Sequence, residues 1–180
     1  PQARIWIYGA YLPNDVNAFH TPDEGFLIGG WADDLAHKIQ AARVMLAPLR
    51  FGAGIKGKLA LAMQCGTPNV TTGIGAEGMS GDLPWSGYIS ATAEEFAEKA
   101  VDLYQKREEW DIAQQQGLQI INICYNKAKL RRGFSEVLEQ LSCGLNAYRQ
   151  KNFIGQMLWH HTLTSTKYMG KWIEEKHRKD

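Results

Sequence analysis

The sequence has little cysteine: Cys65, Cys124 and Cys143 in 180 residues, none in C-x-x-C spacing. An odd, sparse set excludes a disulfide framework and a thiolate zinc site, and reads as reduced, buried and cytoplasmic. Long apolar runs are missing too. Stretches such as Arg43–Leu49 are far too short to span a bilayer, and no secretory signal opens the chain. Nor is one sign of charge in excess: 20 Lys and Arg face 19 Asp and Glu, a net charge of +1. That balance gives no support for a nucleic-acid or membrane-surface protein, and any basic patch must be local. Internal repeats and low-complexity segments are absent.

What is present is apolar content of 44%, enough for a core in one ordinary domain or one lobe of a larger protein. Pro1 stands at the edge of a strand-like run, so the chain reads as a fragment with an upstream part missing. β-branched and aromatic runs predict strands at Arg4–Tyr8, Phe26–Ile28, Val44–Ala47, Asn69–Thr72 and Tyr88–Ile89. Val44–Ala47 is nearly all apolar, which predicts burial on both faces. Asp33 or Asp34 caps a helix to about Ala42, and Lys56–Gln64 predicts a second. The stretch "GIGAEGMSGDLPWSG" reads as a loop. Beyond Thr92, apolar residues recur at helical spacing over Ala93–Tyr104, Glu108–Asn126, Ala128–Arg149 and Phe153–His177. Alternation predicts an α/β fold, a Rossmann-like, mostly parallel sheet with flanking helices over residues 1–92. Residues 93–180 read as a helical extension of the same domain.

One corner concentrates unusual residues. Gly52, Gly54 and Gly57 alternate with Lys56 and Lys58 between a strand and a helix. Glycine permits close backbone approach, and a helix N-terminus offers free N–H groups and a positive dipole end. The chemistry points to an anion, a phosphate above all. Backbone N–H groups at Gly54, Ile55 and Lys56 and the side chains of Arg50, Lys56 and Lys58 are the candidate partners.

Three motifs compete for the corner. Gly52–Gly57 fits the dinucleotide fingerprint G-x-G-x-x-G, but it follows the third strand. The next strand, ending at Thr71-Thr72, lacks the ribose-binding acid. Gly52–Leu59 nearly fits a P-loop, but Leu59 stands where a hydroxyl must ligate Mg²⁺. The third is a resemblance. Pro48, Leu49, Arg50, Gly52, Gly54, Lys56 and Lys58, then Ala62, Met63 and Gly66, then Pro68, Val70 and Thr72, then Gly75, Glu77 and Gly78 match the pattern "P-L-R-x-G-x-G-x-K-x-K", "-E-A-M-A-x-G", "P-V-V-x-T", "G-x-E-G". Residues 48–79 thus resemble the donor-binding segment of GT-B glycosyltransferases of the family 4, or group 1, type. Flanking segments such as "IWIYGAY" and "GFLIGGWADD" agree more loosely.

The resemblance implies the C-terminal, donor-binding lobe of a hexosyltransferase-like, retaining enzyme. It implies no cofactor and no metal, a nucleotide-diphosphate sugar as donor substrate, a sugar acceptor, and an N-terminal lobe on which the last helices pack. Arg50, Gly52, Gly54, Ile55, Lys56 and Lys58 are then phosphate-binding, and Thr72 and Glu77 line the donor pocket; no catalytic residue is singled out. The isolated fragment is expected to be inactive. Two family carboxylates are replaced, by Leu61 and Ala53, so ribose and sugar contacts do not carry over. That departure keeps open a non-catalytic nucleotide-sugar-binding or scaffolding lobe.

The remaining candidates read as structural. His160 and His161 project about 100° apart on a helix and rarely share an ion. The six tryptophans read as core, with Trp85 in "GDLPWSG" held open as a ligand contact.

Overall fold

A computed structural model describes residues 3–11 and 13–178, without the side chains of residues 14 and 160–163. Pro1 and the His160-His161 side chains therefore lie outside the described residues. The chain divides into two compact units, Pro1–Asn126 and Lys127–Asp180.

In the first unit, strand β1 (Ile5–Tyr8) pairs in parallel with β2 (Phe26–Gly30). Two short 3-10 turns, Asn14–Phe19 and Pro22–Glu24, link them. Helix α1 (Leu35–Ala41) starts where Asp34 Oδ1 accepts the His37 N–H at 2.9 Å. Strands β3 (Met45–Ala47), β4 (Asn69–Thr71) and β5 (Gly87–Ile89) form a second parallel sheet in that order. Every named ladder is parallel, as alternation predicts, but the sheet comes as two separate pieces.

The pleat explains the packing of the second sheet. Leu46, Val70 and Tyr88 are register partners and share one face. There they meet Phe96 and Leu103 of helix α4 (Ala93–Gln105) and Trp110 and Ala113 of helix α5 (Arg107–Cys124). Ala47 faces the other way, into a cluster with Leu59 and Met63 of helix α2 (Gly57–Gln64), Met79, Trp85 and Ile120. Gly117 lets α5 come close: a Cβ there would sit 2.4 Å from Ser86 Oγ. Ser86 Oγ donates to the Ala113 carbonyl at 3.0 Å, satisfying a buried hydroxyl. The expectation that β3 is buried on both faces holds only for Ala47; Met45 and Leu46 are half-buried, because β3 is an edge strand.

The second unit is helix α6 (Lys127–Lys151) followed by α7 (Phe153–His177). Asn152 separates them and caps α7, its Oδ1 accepting the Gly155 N–H at 3.0 Å.

Several expectations are corrected. The glycine-rich stretch after β4 is not all loop: Gly73–Ala76 forms a short helix, α3, capped by Thr72. The tryptophans are inverted. Trp6, Trp31, Trp159 and Trp172 are exposed and Trp110 is half-buried, whereas Trp85 is buried in the core. Trp6 and Trp31 lie on or beside the two-stranded β1–β2 sheet, and Trp159 and Trp172 lie on α7, outside the two buried core clusters. Trp85 is therefore a packing residue. The cysteines are not all buried: Cys65 and Cys124 are half-buried and Cys143 lies on the exposed surface of α6. Burial, and to a lesser degree the Asp34 carboxylate, pushes the Cys65 thiol up, which makes it a poor nucleophile.

Candidate functional site

The glycine–lysine corner lies where parallel α/β sheets place ligands, beyond the carboxyl ends of the strands. Leaving β3, the chain turns at once: the Leu49 N–H donates to the Ala47 carbonyl at 2.9 Å. Gly52 (φ 134°) and Gly54 (φ 71°) then occupy the left-handed region, where any side chain would be strained. Lys56 is the N-cap of α2, and its carbonyl accepts the N–H groups of Leu59 at 2.9 Å and Ala60 at 3.2 Å. The N–H groups of Gly57 and Lys58, in the first turn, have no intrahelical partner.

The cations of the corner separate into two kinds. Lys56 is 8% exposed and its Nζ donates to the Gly54 carbonyl at 2.8 Å. It fastens the turn from inside. Arg50 and Lys58 are exposed, and neither has an ion-pair partner among the described residues. Ile55 is exposed as well, flanking the helix start with its side chain in solvent.

Gly57 differs from its neighbours. All three glycines of the corner have open space where a Cβ would stand, but only Gly57 has a φ that is not positive. Folding alone does not require glycine there. A bare backbone at the first helical position leaves room for an anion to reach the N–H groups.

Thr72 joins this corner to the next strand end. Its Oγ1 donates to the Leu49 carbonyl at 2.6 Å and accepts the Gly75 N–H at 3.3 Å. The hydroxyl thus ties the loop after β3 to the start of α3. Glu77 caps the other end of α3, its N–H donating to the Gly73 carbonyl at 3.0 Å. The Glu77 carboxylate is exposed and has no ion-pair partner among the described residues. Arg50, Gly52, Gly54, Ile55, Lys56 and Lys58 belong to one turn, and Thr72 brings the Glu77 segment beside it. Leu61, half-buried, and Ala53, exposed, carry no charge to either.

A second hollow, of about 580 Å³, lies at the carboxyl ends of β1 and β2. Gly9, Asn17, His20, Ile28, Gly30 and Trp31 are among its walls. The Ile28 N–H donates to His20 Nδ1 at 3.0 Å, so the neutral ring carries its proton on Nε2. Trp31 Nε1 donates to Asp33 Oδ1 at 3.0 Å, which steadies an indole that is 70% exposed. Sequence reasoning missed this hollow. Its signal was the glycines that close both strands, Gly9 and Gly29-Gly30.

These features define an α/β protein with short parallel sheets and an anion-competent turn at the strand ends. Residues 1–106 match the family model described as glycosyl transferases group 1, and the chain belongs to that family. No curated protein matches the chain. The family supports transfer of a sugar in general, with a donor and an acceptor as substrates. Among the described residues, no helix is long and apolar enough to cross a membrane.

Proposed function

We propose that this chain is the donor-binding lobe of a retaining, metal-independent glycosyltransferase that takes its sugar from a nucleoside-diphosphate sugar. The observation that carries the reading is the division of labour at the corner. Lys56 holds the Gly52–Gly54 turn from inside, which leaves Arg50, Lys58 and the first-turn N–H groups of α2 uncommitted.

In this reading the diphosphate lies against the α2 N-terminus, with Arg50 and Lys58 as its charge partners. Thr72 keeps the neighbouring loop in place, and Glu77 stands at its rim. The hollow bounded by His20 and Trp31 belongs to the same lobe and is of a size for the rest of the nucleotide. As the bond from the anomeric carbon to the diphosphate oxygen breaks, its electron pair stays on the diphosphate. Fixed donors aimed at that growing charge lower the barrier. The acceptor hydroxyl forms the new bond to the anomeric carbon and passes its proton to the departing diphosphate. In this reading two cations of the chain's own do the work that a divalent metal does elsewhere, and no cofactor is called for. The sparse cysteines, free among the described residues, support a cytoplasmic location in this reading.

Calorimetry with UDP, GDP and ADP, with and without EDTA, tests the reading. At least one of them is expected to bind, equally well with chelator. Binding that vanishes in EDTA would rule out a metal-independent site.

A second reading, a non-catalytic nucleotide-sugar-binding or scaffolding lobe, is favoured by one observation: Leu61 and Ala53 stand where the related pattern holds carboxylates. A full-length parent that binds donor yet leaves it intact with every acceptor tried supports that alternative.

A further inference from the structure

We propose that the helical unit α6–α7 docks on the surface of an anionic lipid bilayer. This is independent of the donor reading.

The near-zero net charge hides an asymmetry. Residues 1–126 hold nine Lys and Arg against fourteen Asp and Glu, a net of −5. Residues 127–180 hold eleven against five, a net of +6. A basic segment on an acidic domain points to an anionic partner.

Helix α6 arranges that charge beside apolar surface. Leu130, Phe134, Val137, Leu138, Leu145 and Tyr148 are 40–66% exposed. At about 100° per residue they fall in one arc of the helix. Arg131 and Arg149 border that arc on one side and Lys127 lies within it at the first turn, whereas Glu136 and Glu139 lie on the opposite side. Lys127, Arg131 and Arg132 also line a hollow of about 500 Å³ with Ala128 and Ser135. The first turn of α6 contains no acidic residue. Cations at a helix N-terminus oppose the helix dipole, and an anion placed there relieves the conflict.

The border of the stripe selects the partner. A second copy laid antiparallel, stripe on stripe, would bring the two Arg131–Arg149 edges together with no carboxylate between them. A nucleic acid would meet the cations but leave the apolar arc in water. A bilayer surface satisfies both, with lipid phosphates for the cations and the acyl boundary for the Leu, Val and Phe side chains. Exposed Phe153, Tyr168 and Trp172 on α7 are of the type enriched at that boundary. With no membrane-crossing helix among the described residues, the contact is peripheral.

Co-sedimentation of the full 180-residue chain with vesicles tests this, comparing pure phosphatidylcholine with an about two-to-one mixture of phosphatidylcholine and phosphatidylglycerol. The chain is expected to pellet with the mixed vesicles at low salt, to be released at high salt, and to stay in solution with phosphatidylcholine alone. Neutralising Lys127, Arg131 and Arg149 together to alanine should weaken partitioning by roughly 100-fold. Phe134→Ser with Leu138→Ser should weaken it without removing the lipid preference, and circular dichroism should show unchanged helix in both variants. The proposal is overturned if the chain ignores the mixed vesicles or pellets equally with neutral ones. It is also overturned if sedimentation equilibrium without lipid reveals a dimer that Phe134→Ser dissolves, or if RNA competes the chain off the vesicles.

Discussion

Replacing Gly57 with alanine should move stability and ligand binding in opposite directions. Gly57 opens α2, its φ lies outside the left-handed region, and its added Cβ has open space on all sides. Alanine restricts the unfolded chain and fits the helix, so stability should rise by about 0.4–1 kcal/mol. In the proposed reading, the same methyl would crowd an anion held by the N–H groups of Gly57 and Lys58. Losing one hydrogen bond to a charged ligand costs about 1.5–3 kcal/mol, or about ten-fold to a hundred-fold in affinity. Thermal melts of the ligand-free protein should therefore shift up by a few degrees, while calorimetric affinity for the best-bound nucleoside diphosphate falls by at least about ten-fold. Gly52→Ala is the control: at φ 134° a side chain is strained, and that variant should be less stable by about 1–3 kcal/mol. A Gly57→Ala protein that binds as tightly as the parent would refute the placement of phosphate at the α2 N-terminus.

Lys58→Ala, and less strongly Arg50→Ala, should weaken diphosphate binding by roughly ten-fold to a hundred-fold with little change in the melting temperature, because both side chains are exposed and unpaired. Lys56→Ala should instead lower the melting temperature, since it removes the buried donor to the Gly54 carbonyl; equal melts for the Lys56 and Lys58 variants would contradict the division between them. The Tyr88 hydroxyl donates to the Glu109 carboxylate, and that bond, with burial, pushes the phenol up to about 12 from an ordinary 10.0. A raised folded value means the contribution is complete below pH 10 and fades as pH rises towards 12, so the stability gap between the parent and Tyr88→Phe should close over that range; a gap constant from pH 7 to 12 would refute it. On the acid side, the same bond from Tyr88, followed by Lys106, holds Glu109 below the usual carboxylate range, so its contribution persists at neutral pH and is lost as pH falls through that lower value. The isolated 180-residue chain should transfer no sugar in a donor-plus-acceptor assay, since it supplies one side of the proposed cleft; robust turnover would refute the two-lobe reading.

Much of the secondary structure was legible because its signals are local. Asp34, Thr92 and Asn152 sit one residue before helices, and each accepts a backbone N–H from its own first turn; the short α3 behind Thr72 escaped because its glycines read as loop. The glycine–lysine corner was legible for the same reason: a left-handed turn between strand and helix admits few residues other than glycine. The segment between β1 and β2 was not. Its 3-10 turns follow no apolar period, and His20 is held by a backbone N–H eight residues away. The tryptophans misled because indoles usually find an interior, and Trp6, Trp31, Trp159 and Trp172 lie on or beside elements that contribute nothing to the two buried core clusters.

By itself, the sequence determined the alternation of strand and helix, the helical second half, the glycine–lysine turn between β3 and α2, and a resemblance that the family match bears out. Each depends on residues within a few positions of one another, where backbone preference and side-chain periodicity act directly. The tertiary structure decided which charges remain available. Lys56 and Lys58 are two residues apart and chemically alike. Yet one folds under the turn onto the Gly54 carbonyl and the other faces solvent. Only the arrangement of the surrounding chain distinguishes a lysine that builds the site from one that is free to serve it.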